Sequence, residues 1–258
     1  MTLHRFFLEG PLAQAPTAGV ELLLSEADCH HMSRVLRLVP GDRVIVTDGE
    51  GREATATLVD VGPERVVADI DDLIERPRRP RVVLAPAVSR RERMELTVQK
   101  ATELGVSEIW PLLTARCVVK LDDERAGRRA DRWRRIAEEA AKQSQREMVP
   151  IVREPIGISE LAAETGAFGI VLVPWEEQSS GGLGIGAALD MAGATPDTSV
   201  LLVIGPEGGL EEGETAALEA AGGVVVTLGD TILRTETAAI VATALVLYEL
   251  GALGGRAR

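Results

Sequence analysis

From residue 81 onward, short apolar runs alternate with longer segments of helical periodicity. The apolar runs cover residues 81–88, 107–113, 170–174, 200–205 and 224–229. The helical segments cover residues 90–104, 128–146, 212–221 and 236–250. Strands that are apolar along their whole length are typical of a parallel sheet with helices on both faces. The alternation therefore predicts an α/β domain with a mainly parallel sheet.

The ends of two predicted helices carry capping signals. For the segment 90–104, Ser89 is expected to be the N-cap, and Gly105 follows the last turn. For the last helix, either Thr235 or Thr237 can cap the first turn. The residues that follow are apolar on nearly all faces. This helix is therefore predicted to be buried everywhere, against the sheet and against a second subunit.

Residues 1–74 have a different pattern, in which apolar and polar residues alternate as in half-buried strands. One helix is expected within them, over residues 26–38, with Ser25 and Asp28 as a capping box. Residues 75–80 are rich in Pro and Arg and indicate a linker. The predicted organisation is a small β-rich domain over 1–74, the linker, and the α/β domain over 81–258.

The net charge of −12 is unevenly distributed. Residues 154–258 carry 15 acidic and 3 basic side chains, whereas residues 1–153 carry 25 of each. Arginines are concentrated in two clusters, within residues 76–93 and 125–135. Clustered arginines can bind phosphates of a polyanion in spite of the acidic total. A solvated helix face neutralised by nearby Glu explains the same clusters equally well.

Several classes of protein are disfavoured by the sequence. Cys29 and Cys117 lie far apart and are expected to be reduced, buried thiols of a cytosolic protein. The three histidines are too few and too badly spaced for a zinc site, so no metal is expected. No signal peptide begins the sequence, and the longest apolar run, 238–248, is too short to cross a bilayer. The protein is expected to be soluble and cytoplasmic.

Three segments at the carboxyl ends of predicted strands are candidates for chemistry, because open α/β sheets bind ligands there. They are residues 173–177, the glycine-rich turn 204–210, and residues 228–238. The glycine-rich turn alone is weak evidence, since many tight turns have this composition. In the third segment, Arg234 and Glu236 lie at the mouth of the last helix. A favourable charge at a helix N-terminus accounts for Glu236 without catalysis.

One further glycine motif matches a dinucleotide-binding fingerprint in relaxed form, at Gly182, Gly184 and Ala187. A nucleotide-binding interpretation needs a strand running directly into the motif and an acidic residue after the next strand. Neither is present, so this segment is expected to be a flexible loop.

Taken together, the segments resemble the 16S ribosomal RNA uridine-N3 methyltransferases (RsmE type) of the knotted SPOUT superfamily. The N-terminal part carries the resemblance in His4-Arg5-Phe6-Phe7 and in residues 31–38, followed by Pro40-Gly41-Asp42. The α/β part carries it in residues 99–106 and in the two cofactor-loop segments 204–210 and 228–238. The order and spacing of these motifs extend over almost the whole chain.

The resemblance implies a PUA-like β-barrel over 1–74 and a trefoil knot in the C-terminal domain. It also implies S-adenosyl-L-methionine as cofactor, a homodimer, and 16S rRNA within the small ribosomal subunit as partner. No membrane partner is implied. The cofactor site that it implies consists of Pro174, Ile204, Gly205, Gly209, Leu228, Ile232, Leu233, Thr237 and Ala238.

The resemblance also assigns candidate roles. Uridine N3 is protonated at neutral pH, so the enzyme needs a base, a cation that favours the uridine anion, or both. Arg234 is the candidate cation and Glu236 the candidate base. The candidate RNA-binding residues are Arg5, Arg34, Arg37, Arg78, Arg79, Arg90 and Arg91.

Three alternatives remain open. A related knotted enzyme could act on tRNA or on a ribose 2′-hydroxyl. An oxidoreductase would use the Gly182 motif for a nucleotide cofactor. A non-catalytic RNA-binding factor would keep the fold without turnover.

Overall fold

The computed structural model describes residues 3–48, 52–74, 79–117, 123–146, 148–175 and 182–254. Arg78 and most of the predicted linker lie outside these ranges. The chain divides into two compact units. The first unit comprises Met1–Pro77 and Ala141–Val149, and the second comprises Arg78–Ala140 and Pro150–Arg258.

The first unit is built on a five-stranded sheet with the order β1-β3-β4-β5-β2. β1 and β3 are parallel, and the other neighbours are antiparallel. The alternation of apolar and polar residues predicts strands over 43–47, 54–59 and 66–70, and all three are confirmed, the last two in longer form. The short β1 and β2 were not predicted. Met32, Val44 and Val46 are fully buried at the centre of this unit. The strands are β1 Arg5–Phe7, β2 Thr17–Leu22, β3 Arg43–Thr47, β4 Glu53–Val61 and β5 Val66–Ile74.

The helix of the first unit begins where the sequence predicts and ends earlier. The Asp28 N–H donates to Ser25 Oγ (3.1 Å), so Ser25 caps α1, Glu26–His30. A π-helical turn, His31–Val35, follows directly. Arg37 has a φ of 55°, in the left-handed region, so helical geometry has ended before residue 38. The predicted helix end was therefore wrong by about one turn.

The second unit contains a six-stranded sheet with the order β13-β11-β12-β6-β7-β9. Every neighbouring pair in it is parallel, which confirms the predicted sheet type. The run 107–113 forms two short strands, because Trp110 and Pro111 separate β7 from β8, and β8 pairs with β10 instead. The strands are β6 Val82–Pro86, β7 Glu108–Ile109, β8 Leu112–Leu113, β9 Ile151–Val152, β10 Ile156–Gly157, β11 Ile170–Pro174, β12 Val200–Ile204 and β13 Gly223–Val226.

The four helices predicted in the α/β part all exist, and two shorter ones, α4 and α5, were missed. Gly105 ends α2 as predicted, with a φ of 122° and its N–H donating to the Ala101 carbonyl (3.1 Å). α5 overlaps the Gly182 motif, so the flexible loop expected there was wrong. The helices are α2 Arg91–Leu104, α3 Asp123–Gln143, α4 Ile158–Glu164, α5 Ile185–Met191, α6 Glu212–Ala220 and α7 Thr235–Glu249.

The predicted caps of α2 and α7 were wrong. Arg90, rather than Ser89, is the N-cap of α2, and its side chain makes no capping hydrogen bond. Arg234 is the N-cap of α7, also without a side-chain cap, so neither Thr235 nor Thr237 fills that position. In both helices the N-cap residue with extended backbone geometry is the neighbour of a polar residue that the sequence favours as the cap: Arg90 follows Ser89, and Arg234 precedes Thr235.

α7 is buried on one side only within a single chain. It packs against α2, α5, β6 and β12, with Ala242 and Val246 fully buried. Leu245 and Tyr248 remain 40% and 43% exposed. The predicted burial of this helix against the sheet is therefore confirmed, and its burial against a second subunit stays a prediction.

Both cysteines are free thiols. Cys29 is buried, and this burial, with the nearby Asp28 and Glu9 carboxylates, raises the pKa of its thiol. Cys117 is half-buried rather than buried as expected, and its Sγ accepts from the Thr114 N–H (3.4 Å). Among the described residues, no helix is long and apolar enough to cross a membrane, and no cluster of His, Cys, Asp or Glu is suited to a metal ion.

Trp110 is the largest fully buried side chain of the second unit, at 1% exposure. The Arg153 guanidinium carbon lies over its ring, 3.6 Å from the ring centroid. The Phe168 ring packs against it edge-on, with the two ring centroids 5.6 Å apart. Its indole N–H donates to Glu108 Oε2 (2.9 Å). We expect Trp110→Ala to lower the free energy of unfolding by about 3–5 kcal/mol, because it removes these contacts and leaves a cavity.

Urea titration followed by circular dichroism measures this loss. Met191→Ala is the matched control, since Met191 is 79% exposed. Equal unfolding midpoints for the two variants would contradict the importance assigned to Trp110.

Candidate cofactor pocket at the carboxyl ends of the strands

A pocket of about 430 Å³, including its open mouth, lies at one edge of the parallel sheet. It is formed where β11 and β13 end side by side, since Pro174 and Val226 are partners in register. The first turn of α7 closes another wall through Ala238. The pocket is lined by Pro174, Trp175, Thr227, Leu228, Gly229, Thr231, Ile232, Leu233 and Ala238.

The loop between β13 and α7 provides most of the lining. It is anchored at its start, where the Thr227 N–H donates to the Leu183 carbonyl (2.9 Å) and Thr227 Oγ1 accepts from the Gly229 N–H (3.1 Å). Gly229 has a φ of 110°, which favours glycine at this turn. Among the described residues, the N–H groups of Ile232 and Leu233 have no hydrogen-bond partner. The loop therefore combines apolar side chains with backbone donors that a ligand can engage.

The glycine-rich turn after β12 is compact. A Cβ on Gly205 would lie 3.2 Å from Leu210 Cγ and 3.3 Å from the Leu210 nitrogen. Gly209 has a φ of 71°, and its N–H donates to the Pro206 carbonyl (2.9 Å). The geometry of the turn alone therefore accounts for both glycines. This agrees with the observation that many tight turns have this composition.

The structure brings only part of the predicted cofactor site together. Five of the predicted residues line the pocket: Pro174, Leu228, Ile232, Leu233 and Ala238. Four others do not belong to the lining: Ile204, Gly205, Gly209 and Thr237. Ile204 is buried at the end of β12, and Thr237 is exposed on α7.

Sequence reasoning missed four lining residues: Trp175, Thr227, Gly229 and Thr231. Trp175 lies inside the first candidate segment, 173–177, directly after the last residue of β11. Gly229 and Thr231 lie inside the third candidate segment. The pairing of β13 with β11, which the sequence does not reveal, is what brings these residues to the same pocket.

Arg234 and Glu236 flank the pocket wall without forming part of its lining. Arg234 is exposed at the N-cap of α7. Glu236 is 8% exposed, and its Oε1 lies 3.8 Å from Arg93 Nε on α2. The same Arg93 donates from Nη1 to Glu207 Oε1 in the glycine-rich turn (2.6 Å). We refer to Arg93, Glu207 and Glu236 as the Arg93 cluster.

Of the candidate RNA-binding arginines in the first unit, Arg5 is in the wrong environment for phosphate binding. Its side chain is only 7% exposed and pairs with the buried Glu53 at 2.8 Å. This geometry assigns Arg5 to the stability of the N-terminal sheet, which corrects the role expected from the sequence. Arg34 and Arg37 are exposed, and no ion-pair partner is found for either among the described residues.

In the second unit, the candidates Arg79, Arg90 and Arg91 are all exposed. Arg91 donates to Glu95 Oε1 one turn later on α2 (2.9 Å). Arg78 lies outside the described residues. The exposed arginines keep their guanidinium groups at the surface, as phosphate binding requires.

Glu95 connects α2 to α3 and gives the second unit a pH-dependent contribution to stability. Hydrogen bonds from Arg132, and then from Arg91, hold the pKa of Glu95 below its ordinary value. A lowered folded-state pKa stabilises the fold above the unfolded pKa, and the stabilisation is lost as the pH falls through the folded pKa. We expect Glu95→Gln to be less stable than wild type at neutral pH and equal to it in acid.

Urea midpoints measured from neutral pH down to acid test this expectation. A constant difference between the two proteins at every pH would contradict it. Glu103→Gln, which removes a carboxylate paired with Lys100 on the same helix, is the control.

The fold and the pocket define a class: an α/β protein with a parallel sheet and a ligand pocket at its carboxyl edge, joined to a β-rich unit. Residues 76–247 match the family model of an RNA methyltransferase domain, and residues 24–71 match that of an RNA methyltransferase PUA domain. The chain belongs to this RNA methyltransferase family.

Relatives of known name support the same placement. The ribosomal RNA small subunit methyltransferase E of Bacillus subtilis is 33% identical over 98% of this chain and 99% of its own length. The protein of that name from Mycobacterium bovis is 35% identical over 93% of this chain and 88% of its own length. The crystal structure of the Neisseria gonorrhoeae methyltransferase E bound to S-adenosyl methionine has a TM-score of 0.79 at 30% identity, covering 95% of this chain and 97% of that one.

Proposed function

We propose that this chain is an S-adenosylmethionine-dependent methyltransferase that methylates N3 of a uridine in 16S ribosomal RNA. The observation that carries the proposal is the pocket between β11, β13 and α7. Its apolar walls and unpaired backbone donors fit an adenine ring and ribose, which need an apolar slot with a few polar groups. Relatives similar over nearly the whole chain are named for this rRNA subunit.

We propose the site predicted from the sequence in an amended form. Pro174, Leu228, Ile232, Leu233 and Ala238 would hold the cofactor directly, because they line the pocket. The other predicted residues would support the lining without touching the cofactor. The glycine-rich turn would be shaped by Ile204, Gly205 and Gly209, and the start of α7 by Thr237. S-adenosylmethionine, when bound, supplies an electrophilic methyl group.

The chain's own residues must prepare the uridine. Arg234 is exposed beside the pocket-lining Leu233 and would stabilise negative charge on the uracil carbonyl oxygens. Glu236 is the candidate acceptor of the N3 proton, and its buried position beside Arg93 keeps its carboxylate in one place. Together they would favour the uridine anion, whose N3 lone pair is the nucleophile.

For the architecture, we propose a PUA-like barrel over 1–74, a linker over 75–80 and a knotted domain over 81–258. The closure of the N-terminal sheet into a barrel is part of this proposal. The knot is supported by the path of the chain after β13, which is the edge strand of the parallel sheet. From there α7 returns to pack on the central strands β12 and β6.

We also propose a homodimer that works in the cytoplasm on the small ribosomal subunit. Ile232 lines the pocket and is 87% exposed, and Leu245 and Tyr248 leave an apolar face on α7. Exposed apolar groups of this kind are typical of a protein interface. A second copy of the chain would cover them.

The arginine surface gives the expected salt dependence of RNA binding. Arg34, Arg37, Arg79 and Arg90 are exposed and would contact phosphates, which releases counterions. We expect affinity for a 16S rRNA fragment to fall steeply between low and moderate salt, and Arg34→Ala or Arg37→Ala to lower the slope by about 1 each.

Filter binding over a series of salt concentrations measures these slopes. Lys100→Ala is the control, since Lys100 pairs with Glu103 on its own helix. Affinity that does not change with salt would contradict the proposed phosphate contacts.

The substrate class is tested by offering purified protein and labelled S-adenosylmethionine three acceptors: small ribosomal subunits, large subunits and bulk tRNA. The proposal expects label in the small subunit alone. Label in tRNA would replace it with the tRNA alternative, and tight nicotinamide-nucleotide binding without methyl transfer would favour the oxidoreductase.

A further inference from the structure

Arg93 lies outside the pocket lining, yet it contacts both segments that border the proposed cofactor site. It belongs to the first turn of α2. Its Nη1 donates to Glu207 Oε1 at 2.6 Å, and its Nε lies 3.8 Å from Glu236 Oε1. Glu207 is part of the glycine-rich turn, and Glu236 is in the first turn of α7. One side chain thus connects two segments that are far apart in the sequence.

The two carboxylates of the Arg93 cluster depend on the positive charge of Arg93. The side chains of Glu207 and Glu236 are 23% and 11% exposed, so both carboxylates depend on Arg93 for compensation of their charge. Glu236 Oε2 is buried and has no hydrogen-bond partner among the described residues. Removing Arg93 would leave Glu236 as a buried carboxylate without a counter-charge, which proteins do not tolerate without rearranging.

The geometry of arginine suits this position. A guanidinium presents N–H donors in a fixed planar fork, so Nη1 and Nε can face two carboxylates at once. A lysine ammonium is a single charged centre and cannot keep both separations. The glycine-rich turn has a second anchor, where Arg116 Nη1 donates to the Gly208 carbonyl (2.8 Å). Among the described residues, Arg116 forms no hydrogen bond or ion pair with α7. Arg93 is therefore the arginine that joins the turn to α7.

We propose that Arg93 is a positioning residue for methyl transfer: it fixes the start of α7, with Glu236, relative to the glycine-rich turn. This inference rests on the proposed function, because it concerns the same pocket. Ala238 lines that pocket from the first helical turn of α7, two residues after Glu236. A shift of α7 would move the pocket wall and the candidate base together.

The competing role for Arg93 is direct contact with RNA phosphate, since it belongs to the arginine cluster within residues 76–93. The two roles predict different measurements. A positioning residue alters cofactor affinity and the rate of the chemical step. A phosphate contact alters RNA affinity and reduces its salt dependence, leaving cofactor affinity unchanged.

The experiment compares Arg93→Met, Arg93→Lys, Glu207→Gln and the double variant Arg93→Met/Glu207→Gln with wild type. Calorimetry gives the Kd for S-adenosylmethionine, single-turnover assays on small ribosomal subunits give the rate, and filter binding gives the salt slope. Lys100→Met is the matched control, because it removes an ion pair from the same helix.

We expect Arg93→Met to weaken cofactor binding about 10-fold and to slow single turnover about 100-fold, with the salt slope unchanged. Arg93→Lys should lie between Arg93→Met and wild type. The double variant should be no worse than Arg93→Met alone, because Glu207 acts through Arg93. Lys100→Met should behave as wild type.

Wild-type cofactor affinity and turnover in a folded Arg93→Met protein would overturn the proposal. A salt slope reduced by about 1 with unchanged cofactor affinity would also overturn it, in favour of RNA contact. If Arg93→Met does not fold, wild-type behaviour of both Arg93→Lys and Glu207→Gln would overturn it. If the wild type binds cofactor but methylates no small subunit, the proposed function fails, while the cofactor affinities still test Arg93.

Discussion

Replacing Arg234 by alanine is expected to slow methyl transfer about 100- to 1,000-fold, with little change in the affinity for S-adenosylmethionine. Arg234 is exposed at the N-cap of α7, next to the pocket-lining Leu233. No carboxylate pairs with it in the described parts of the chain, so its charge is free to face a substrate. A cation there stabilises the transition state, in which negative charge develops on the uracil, more than it stabilises the bound cofactor.

Single-turnover rates at saturating cofactor measure this effect, and calorimetry measures cofactor affinity separately. Arg65→Ala is the control, because Arg65 is an exposed arginine of the first unit paired with Glu21. Glu236→Ala should also slow turnover. If both Arg234→Ala and Glu236→Ala keep the wild-type rate with unchanged cofactor affinity, the assigned roles are wrong.

The second large effect is expected from Ala238→Phe, which should weaken S-adenosylmethionine binding about 100-fold, equivalent to about 2.7 kcal/mol. Ala238 is half-buried and lines the pocket from the first turn of α7. A phenyl ring at this position would occupy part of the pocket that the cofactor would fill. The rest of α7 would keep its buried contacts, so the fold should persist.

Calorimetry on Ala238→Phe and on Ala163→Phe tests this prediction. Ala163 is exposed on α4 and does not line the pocket, so the same substitution there should leave the Kd unchanged. Wild-type affinity in folded Ala238→Phe would place the cofactor elsewhere. Loss of affinity in both variants would mean that the effect is not specific to the pocket.

The parallel sheet could be predicted because its strands are buried on both faces and therefore read as continuous apolar runs. β11, Ile170–Pro174, is found with the predicted bounds. Gly105 could be predicted as a helix end because a positive φ at that position favours glycine. Short strands such as β1 and β9 could not be predicted, because they have too few residues to show an alternation of apolar and polar side chains.

The candidate site could be predicted only in part, for a physical reason. Residues 228–238 form one continuous loop and helix start, so the four lining residues that the resemblance implied there lie close together in the fold: Leu228, Ile232, Leu233 and Ala238. Long-range pairs leave no such signal. Arg93 and Glu207 are 114 positions apart, and their contact depends on how α2 lies beside the glycine-rich turn. The pairing of Arg5 with Glu53 likewise depends on the fold of the first unit, and it reversed the role expected for Arg5.

The identity of the methylated nucleoside decides whether this chain is a uridine-N3 methyltransferase of 16S rRNA. Small ribosomal subunits that lack their own uridine methylation are incubated with the protein and labelled S-adenosylmethionine, and the 16S rRNA is digested to nucleosides. We expect label in 3-methyluridine, and none at matched times when Arg234→Ala replaces the wild type. Label in any other nucleoside, or no label while the cofactor is bound, would contradict it.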